Sequence, residues 1–381
     1  MVTLTATLVF AQQSIPPPGQ LELVAGGFQF TEGPVWKNGV GLFFSDINGN
    51  TIYRWSQQSG AVAVVKPSGN ANGLALDHQG RLLAAQQGGR RVIRIEYDSS
   101  QTILAERYTG KRLNSPNDLV VKSDGSIWFT DPPYGISSGQ EELGFYGIFR
   151  IDSLGNLHLL DKTLRRPNGI VFSLDEKKLY VNDSEERTIY LWDVVSDSVL
   201  ANKRRFASMA PAGYADGMKV DSGGNIYCAG PLGIWVFAPD GAVLDTILVP
   251  GQTTNCNWGD ADRRTLYITS GTAVFRIRFG TTGVEPSDKG LGLMKMIELY
   301  PNYPNPFNPS TIIAFETSLG GRVTLRVYDL LGRDVETLID SYLPPGTHHT
   351  QFLSGSLSSG VYYYGLQMSN HCSARKMVLM R

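Results

Sequence analysis

Three cysteines in 381 residues are too few, and odd in number, for a disulfide framework. Cys228, Cys256 and Cys372 are read instead as small apolar side chains. No run of about 18 or more apolar residues occurs, so no segment crosses a membrane as a helix. Charge of one sign is also missing, with 34 basic against 35 acidic residues. That excludes the basic face that nucleic acid or an anionic membrane surface would need. Histidine is scarce, at five, and long runs of helix formers are absent.

What the chain has is 42 Gly and 20 Pro among many Tyr, Phe, Val, Ile and Thr, the vocabulary of short strands joined by tight turns. Its length predicts a large β domain plus a small one. Met1 to Ala11 is a short apolar stretch followed by Pro16-Pro17-Pro18-Gly19, which reads as a secretory leader and Pro-rich start over residues 1–19, although no Lys or Arg precedes it. A repeat then begins.

Tyr214-Ala215-Asp216-Gly217-Met218-Lys219-Val220 shows its form: an oxygen-bearing residue, Gly, an alternating apolar run, then a polar turn and a second run. Six copies are headed by Glu32, Asn72, Asn117, Asn168, Asp216 and Asn255 at intervals of roughly 40–50 residues, the repeat length of β-propeller blades. Each of the first five copies holds four strands. The sixth lacks a fourth strand, and Gln20 to Ala25 can supply it, closing the ring and removing its exposed edges. The expectation is an all-β chain, with a six-bladed propeller over 20–280, a linker over 281–296 and a small β-sandwich over 297–381.

Innermost propeller strands run the same way along one central channel, so the six heads form a ring at one end. All six offer side-chain oxygen, and none offers sulfur or imidazole. Such a ring suits a hard cation, calcium above zinc, and Glu32 with Asp216 would neutralise one divalent ion. Asn-Gly is also ordinary turn vocabulary. Glu32 is not, and its place is better explained by what its carboxylate binds. Loops on the same end carry Asp131 and Tyr134 among other polar residues, and these two with Asn72 and Asn255 are the candidates for substrate contact.

The tail carries Tyr303-Pro304-Asn305-Pro306-Phe307-Asn308-Pro309, Val327-Tyr328-Asp329-Leu330-Leu331-Gly332-Arg333 and Ser358-Ser359-Gly360-Val361-Tyr362-Tyr363-Tyr364. It resembles the C-terminal sorting domain of the type IX secretion system. That resemblance implies an address read by the secretion machinery, a secreted or surface-held protein, and no chemistry in the tail.

Residues 20–280 carry Glu32-Gly33-Pro34-Val35-Trp36, Asn114-Ser115-Pro116-Asn117-Asp118, Thr130-Asp131-Pro132-Pro133-Tyr134-Gly135, Arg166-Pro167-Asn168-Gly169 and Ala215-Asp216-Gly217-Met218. They resemble the gluconolactonase and senescence-marker-protein family of six-bladed propellers. The resemblance implies a divalent cation, calcium first and zinc or magnesium next, held by Glu32, Asn117, Asn168 and Asp216. Animal members carry Arg where this chain has Ser115, which points to the bacterial branch and leaves the substrate open. The expected activity is hydrolysis of a sugar-type lactone, with the cation polarising the carbonyl and Asp216 as general base. The alternative is a non-catalytic propeller, braced by calcium, that binds glycan or peptide. An aryl-ester or organophosphate hydrolase ranks below both.

Overall fold

The computed structural model describes residues 18–197, 199–209, 213–280, 297–317, 320–329, 333–368 and 371–380. The expected leader, through residue 17, and the expected linker over 281–296 lie outside the described residues. The chain is all β. Six four-stranded antiparallel sheets, the blades, follow one another between Pro18 and Phe279. Their innermost strands are Thr31–Lys37, Ala71–Leu76, Leu119–Val121, Pro167–Phe172, Met218–Val220 and Thr253–Gly259. Each innermost strand touches the next, and the sixth returns to the first. The sheets therefore stand around one axis.

Pro18–Gly26 pairs antiparallel with Ala273–Phe279 and is the fourth strand of the sixth blade. Strand structure thus starts at Pro18, two residues inside the expected Pro-rich start. Closure by the chain's own beginning leaves no blade with a missing partner strand.

Second strands such as Ile127–Asp131 and Ile226–Gly230 are buried along their whole length, because blades cover both of their faces. That explains why they read as continuous apolar runs rather than alternating ones. Outermost strands such as Gly60–Val65 are largely exposed. Between blades lie large side chains, including Trp128 against Phe172 and Tyr227 against Trp258, each worth about 1.5–3 kcal/mol of burial. Cys228 and Cys256 are buried free thiols in this packing, as the composition suggested.

The tail forms two sheets, one of three strands and one of four, that enclose a core of its own around Phe307, Phe315, Phe352 and Tyr364. This is the expected β-sandwich.

Candidate active site on the propeller axis

The inner strands stack side chains in layers down the axis, and backbone hydrogen bonds give the register. Gly73 N donates to Asn117 O at 2.8 Å, and Gly217 N donates to Thr254 O at 2.8 Å. The residue after a head thus pairs with the head of the next blade. By that rule the first layer is Glu32, Asn72, Asn117, Asn168, Asp216 and Thr254. Asn255, expected as the sixth head, lies one step along the strand. The strand irregularity between Thr253 and Asn255 matches those at the heads of blades one, two and four, so Thr254 occupies the head position there.

The second layer is Gly33, Gly73, Asp118, Gly169, Gly217 and Asn255. Four glycines are there for room. A Cβ on Gly217 would sit 1.9 Å from Asn255 Cγ, and one on Gly73 would sit 2.7 Å from Asp118 Oδ1. Asp118 and Asn255 come from opposite blades and interact electrostatically across the space the glycines leave. Asn255 Nδ2 also donates to Glu32 Oε2 at 3.0 Å, and Asn255 Oδ1 accepts from Cys256 N at 2.8 Å. Both its Nδ2 and its Oδ1 are engaged within the protein, and it orients Glu32 from below.

Glu32 is 3% exposed and also accepts from Gly33 N. Asp216 keeps a partly exposed edge in the mouth, beside Tyr214, Gly230, Pro231 and Leu232. The two carboxylates interact. Burial first, then the Asp118 charge, pushes the Glu32 carboxyl up to about 7, against the donors Asn255 and Gly33. Burial first, then Glu32 and Asp118, raises Asp216 well above the ordinary carboxylate range. Two acids from blades one and five are thus held close enough to oppose each other's ionisation. The Asn168 side chain favours the ionised form of Asp216, and Asn168 Oδ1 is buried with no partner. An orphaned amide oxygen beside two mutually repelling carboxylates fits a hard cation, whose charge would satisfy all three. Among the described residues no three His, Cys, Asp or Glu side chains gather as a metal site, so such a site rests on amides as much as on acids.

Other residues hold this layer in place. Ser45 Oγ donates to Asn72 O at 2.8 Å, Thr130 Oγ1 to Asn168 O at 2.7 Å, and Asn182 Nδ2 to Asp216 O. Each comes from the preceding blade's second strand. One residue further on, Asp131 is fully buried and its oxygens accept from Asn114 N at 2.8 Å, Asn114 Nδ2 at 3.0 Å and Ser115 N at 2.7 Å. Asp46 accepts likewise from Phe30 N, and Asp183 from Arg165 N. Asp131, expected to touch substrate, is instead a strap on the segment that delivers Asn117. Blade five has Gly230 at this position, and there the mouth opens beside Asp216.

Asn72 Nδ2 donates to Gln87 Oε1 at 3.0 Å at the rim. Tyr134 is half-buried with Arg166 over its ring at 5.8 Å, and burial pushes its hydroxyl up to about 12. That hydroxyl faces Asn168, Ser184 and Asp216. Ser115 Oγ accepts from Gly135 N at 2.7 Å, so the residue that stands in for an Arg pins the loop bearing Tyr134. Sequence reasoning passed over Asp118, whose signal is an acid where four other repeats have Gly.

The family model of the SMP-30/Gluconolactonase/LRE-like region matches residues 30–272. The chain belongs to this family. All six first-layer residues fall inside that match. This family member is 36% identical over 293 residues to a gluconolactonase of Zymomonas mobilis, covering 69% of this chain and 82% of that one. It is 28% identical to pentonolactonase XacC of Haloferax volcanii over 63% of this chain and 80% of that protein. A solved gluconolactonase from Xanthomonas campestris superposes with a TM-score of 0.65 at 31% identity, covering 72% of this chain and 100% of the other. Residues 302–380 match the Secretion system C-terminal sorting domain. The tail therefore marks the chain for export to the cell surface or for release by the type IX system.

Proposed function

We propose that the exported propeller is a divalent-cation-dependent lactonase that opens a sugar-type lactone. The observation that carries this is the first layer itself: Glu32 and Asp216, two blades apart around the axis and near enough to oppose each other's ionisation, with the unpartnered Asn168 Oδ1 beside Asp216. The gluconolactonase and pentonolactonase relatives support the substrate class. Glu32, Asn117, Asn168 and Asp216 would hold the ion, and oxygen donors alone favour calcium over zinc. When bound, it supplies Lewis-acid polarisation of a lactone carbonyl and stabilises the oxyanion that develops there.

Asp216, the carboxylate with an edge in the mouth, takes the proton of the attacking water on a carboxylate oxygen as general base. Glu32, fixed by Asn255 from below, remains a charge and not a base. Asn72 and Tyr134, at the rim, are the side chains placed to meet substrate hydroxyls, while Asp131 and Asn255 act behind them.

The test is proton release from a panel of sugar and alkyl lactones, with calcium, with zinc and with a chelator. Turnover of sugar lactones that stops on chelation and returns with calcium is the expected result. Retained glycan or peptide binding without turnover of any lactone under any ion would replace the enzyme with a binding propeller.

A further inference from the structure

Below the first layer the axis carries charge that ion binding at the mouth leaves over. Asp118 enters the second layer from blade three and is 2% exposed, with Oδ2 unpartnered. The third layer, on the same face two residues further along each strand, is Val35, Ala75, Val120, Val171, Lys219 and Asn257, as their pairing with Phe43, Leu83, Trp128, Tyr180, Tyr227 and Tyr267 shows. Five of the six are uncharged. Lys219 is the exception, and its ammonium donates to Met218 O at 3.0 Å while lying within electrostatic reach of both Asp118 and Glu32.

Counted along these three layers with every side chain ionised, the charges are Glu32, Asp216 and Asp118 against Lys219. Two negative charges remain. We infer that Lys219 is a built-in counter-ion that sets the valence the axis accepts, so that the fully ionised column becomes neutral with one divalent cation. This rests on the reading that the first layer holds an ion. A monovalent ion leaves the buried column one charge short, and a trivalent ion overshoots by one. Both departures carry the cost of an uncompensated charge in a low-dielectric channel.

The experiment measures binding of calcium and of terbium(III) to the full chain by calorimetry, with terbium luminescence as a second readout. Lys219→Met should raise the terbium-to-calcium affinity ratio on the order of tenfold or more, because each added ion charge then meets one fewer repelling charge nearby. Asp118→Asn should lower that ratio by a similar factor, and the double variant should return it to within about threefold of the parent if the two charges compensate each other. Lys219→Arg keeps the charge and should leave the ratio in place. An unmoved ratio in Lys219→Met, or a double variant no nearer the parent than Asp118→Asn, overturns the inference. Should Lys219→Met fail to fold, Asp118→Asn against the double variant decides it alone. A parent chain that binds neither ion would instead sink the cation-dependent function, a distinguishable failure.

Discussion

Asp131 shows how far a single residue's role depends on where its oxygens are spent. Placed in a polar mouth loop it reads as a substrate contact, yet three N–H donors already occupy its carboxylate. Asp131→Ala leaves those donors buried and unpaired and should cost about 2–4 kcal/mol of folding stability, seen as a lower midpoint in urea, with KM nearly unchanged in the protein that remains folded. A raised KM at unchanged stability would make it a substrate contact after all. Asp216→Asn tests the opposite role. It should lower kcat by about 10²–10⁴-fold, the usual worth of a general base, with the fold intact by calorimetry. The shared axial layer of Glu32, Asn117, Asn168 and Asp216 was legible because the repeat spacing and residue type coincide at those positions. Asn255 was misplaced by one residue because Asn matched the other heads better than Thr254 does, and only the strand pairing shows that Thr254 holds the head position. Asp118 and Lys219 were invisible for a related reason: their meaning lies in which layer they share, and layers are set by pairing register.

Among elements, the blades followed from period-two runs and turns, and even the closing strand was legible, because the sixth repeat lacked a partner that Gln20 to Ala25 could supply. The glycines after the heads were not legible as what they are. Turn vocabulary accounts for Asn-Gly by backbone conformation, whereas Gly73, Gly169 and Gly217 have no left-handed φ and are required by close approach of neighbouring inner strands. Gly33 combines both, with φ of +54° and an added Cβ 2.2 Å from Asn72 O. The consequence is a strict test at element level. Gly217→Ala places a methyl 1.9 Å from Asn255 Cγ, so the inner strands of blades five and six must part or Asn255 must swing away from Glu32. The expected cost is about 1–3 kcal/mol for overpacking, read by chemical denaturation, together with weaker calcium binding. Unaltered stability and binding would mean that these strands are not held in the register described.

At the scale of the whole molecule, the ring brings Glu32 and Asp216, far apart in sequence, into one buried field, and that makes the stability of the propeller depend on pH and ion together. In the ion-free chain the Glu32 carboxyl titrates at about 7 against 4.5 for the free group. The folded state then holds the proton more tightly than the unfolded state does. By linkage, stability is greatest while that proton is bound and falls as pH rises from about 4.5 through about 7, by on the order of 3 kcal/mol in all. Asp131 is also raised to about 7 and acts with the same sign, so Glu32→Gln is needed to separate the two. Surface carboxylates such as Asp193 and Asp340 are lowered by their Arg partners. They are ionised in both states above about pH 5.5 and contribute no slope there. On the proposed function, calcium would invert the dependence, because it would need both axial carboxylates ionised and would have to displace the proton below about pH 7. Thermal unfolding from pH 5.5 to 8 should therefore show a chelated protein that loses stability as pH rises and a calcium-stabilisation increment that grows over the same window. Glu32→Gln should reduce both and leave the part of the slope that Asp131 and Asp216 carry. An increment that stays constant with pH would show that calcium does not bind where Glu32 and Asp216 face each other.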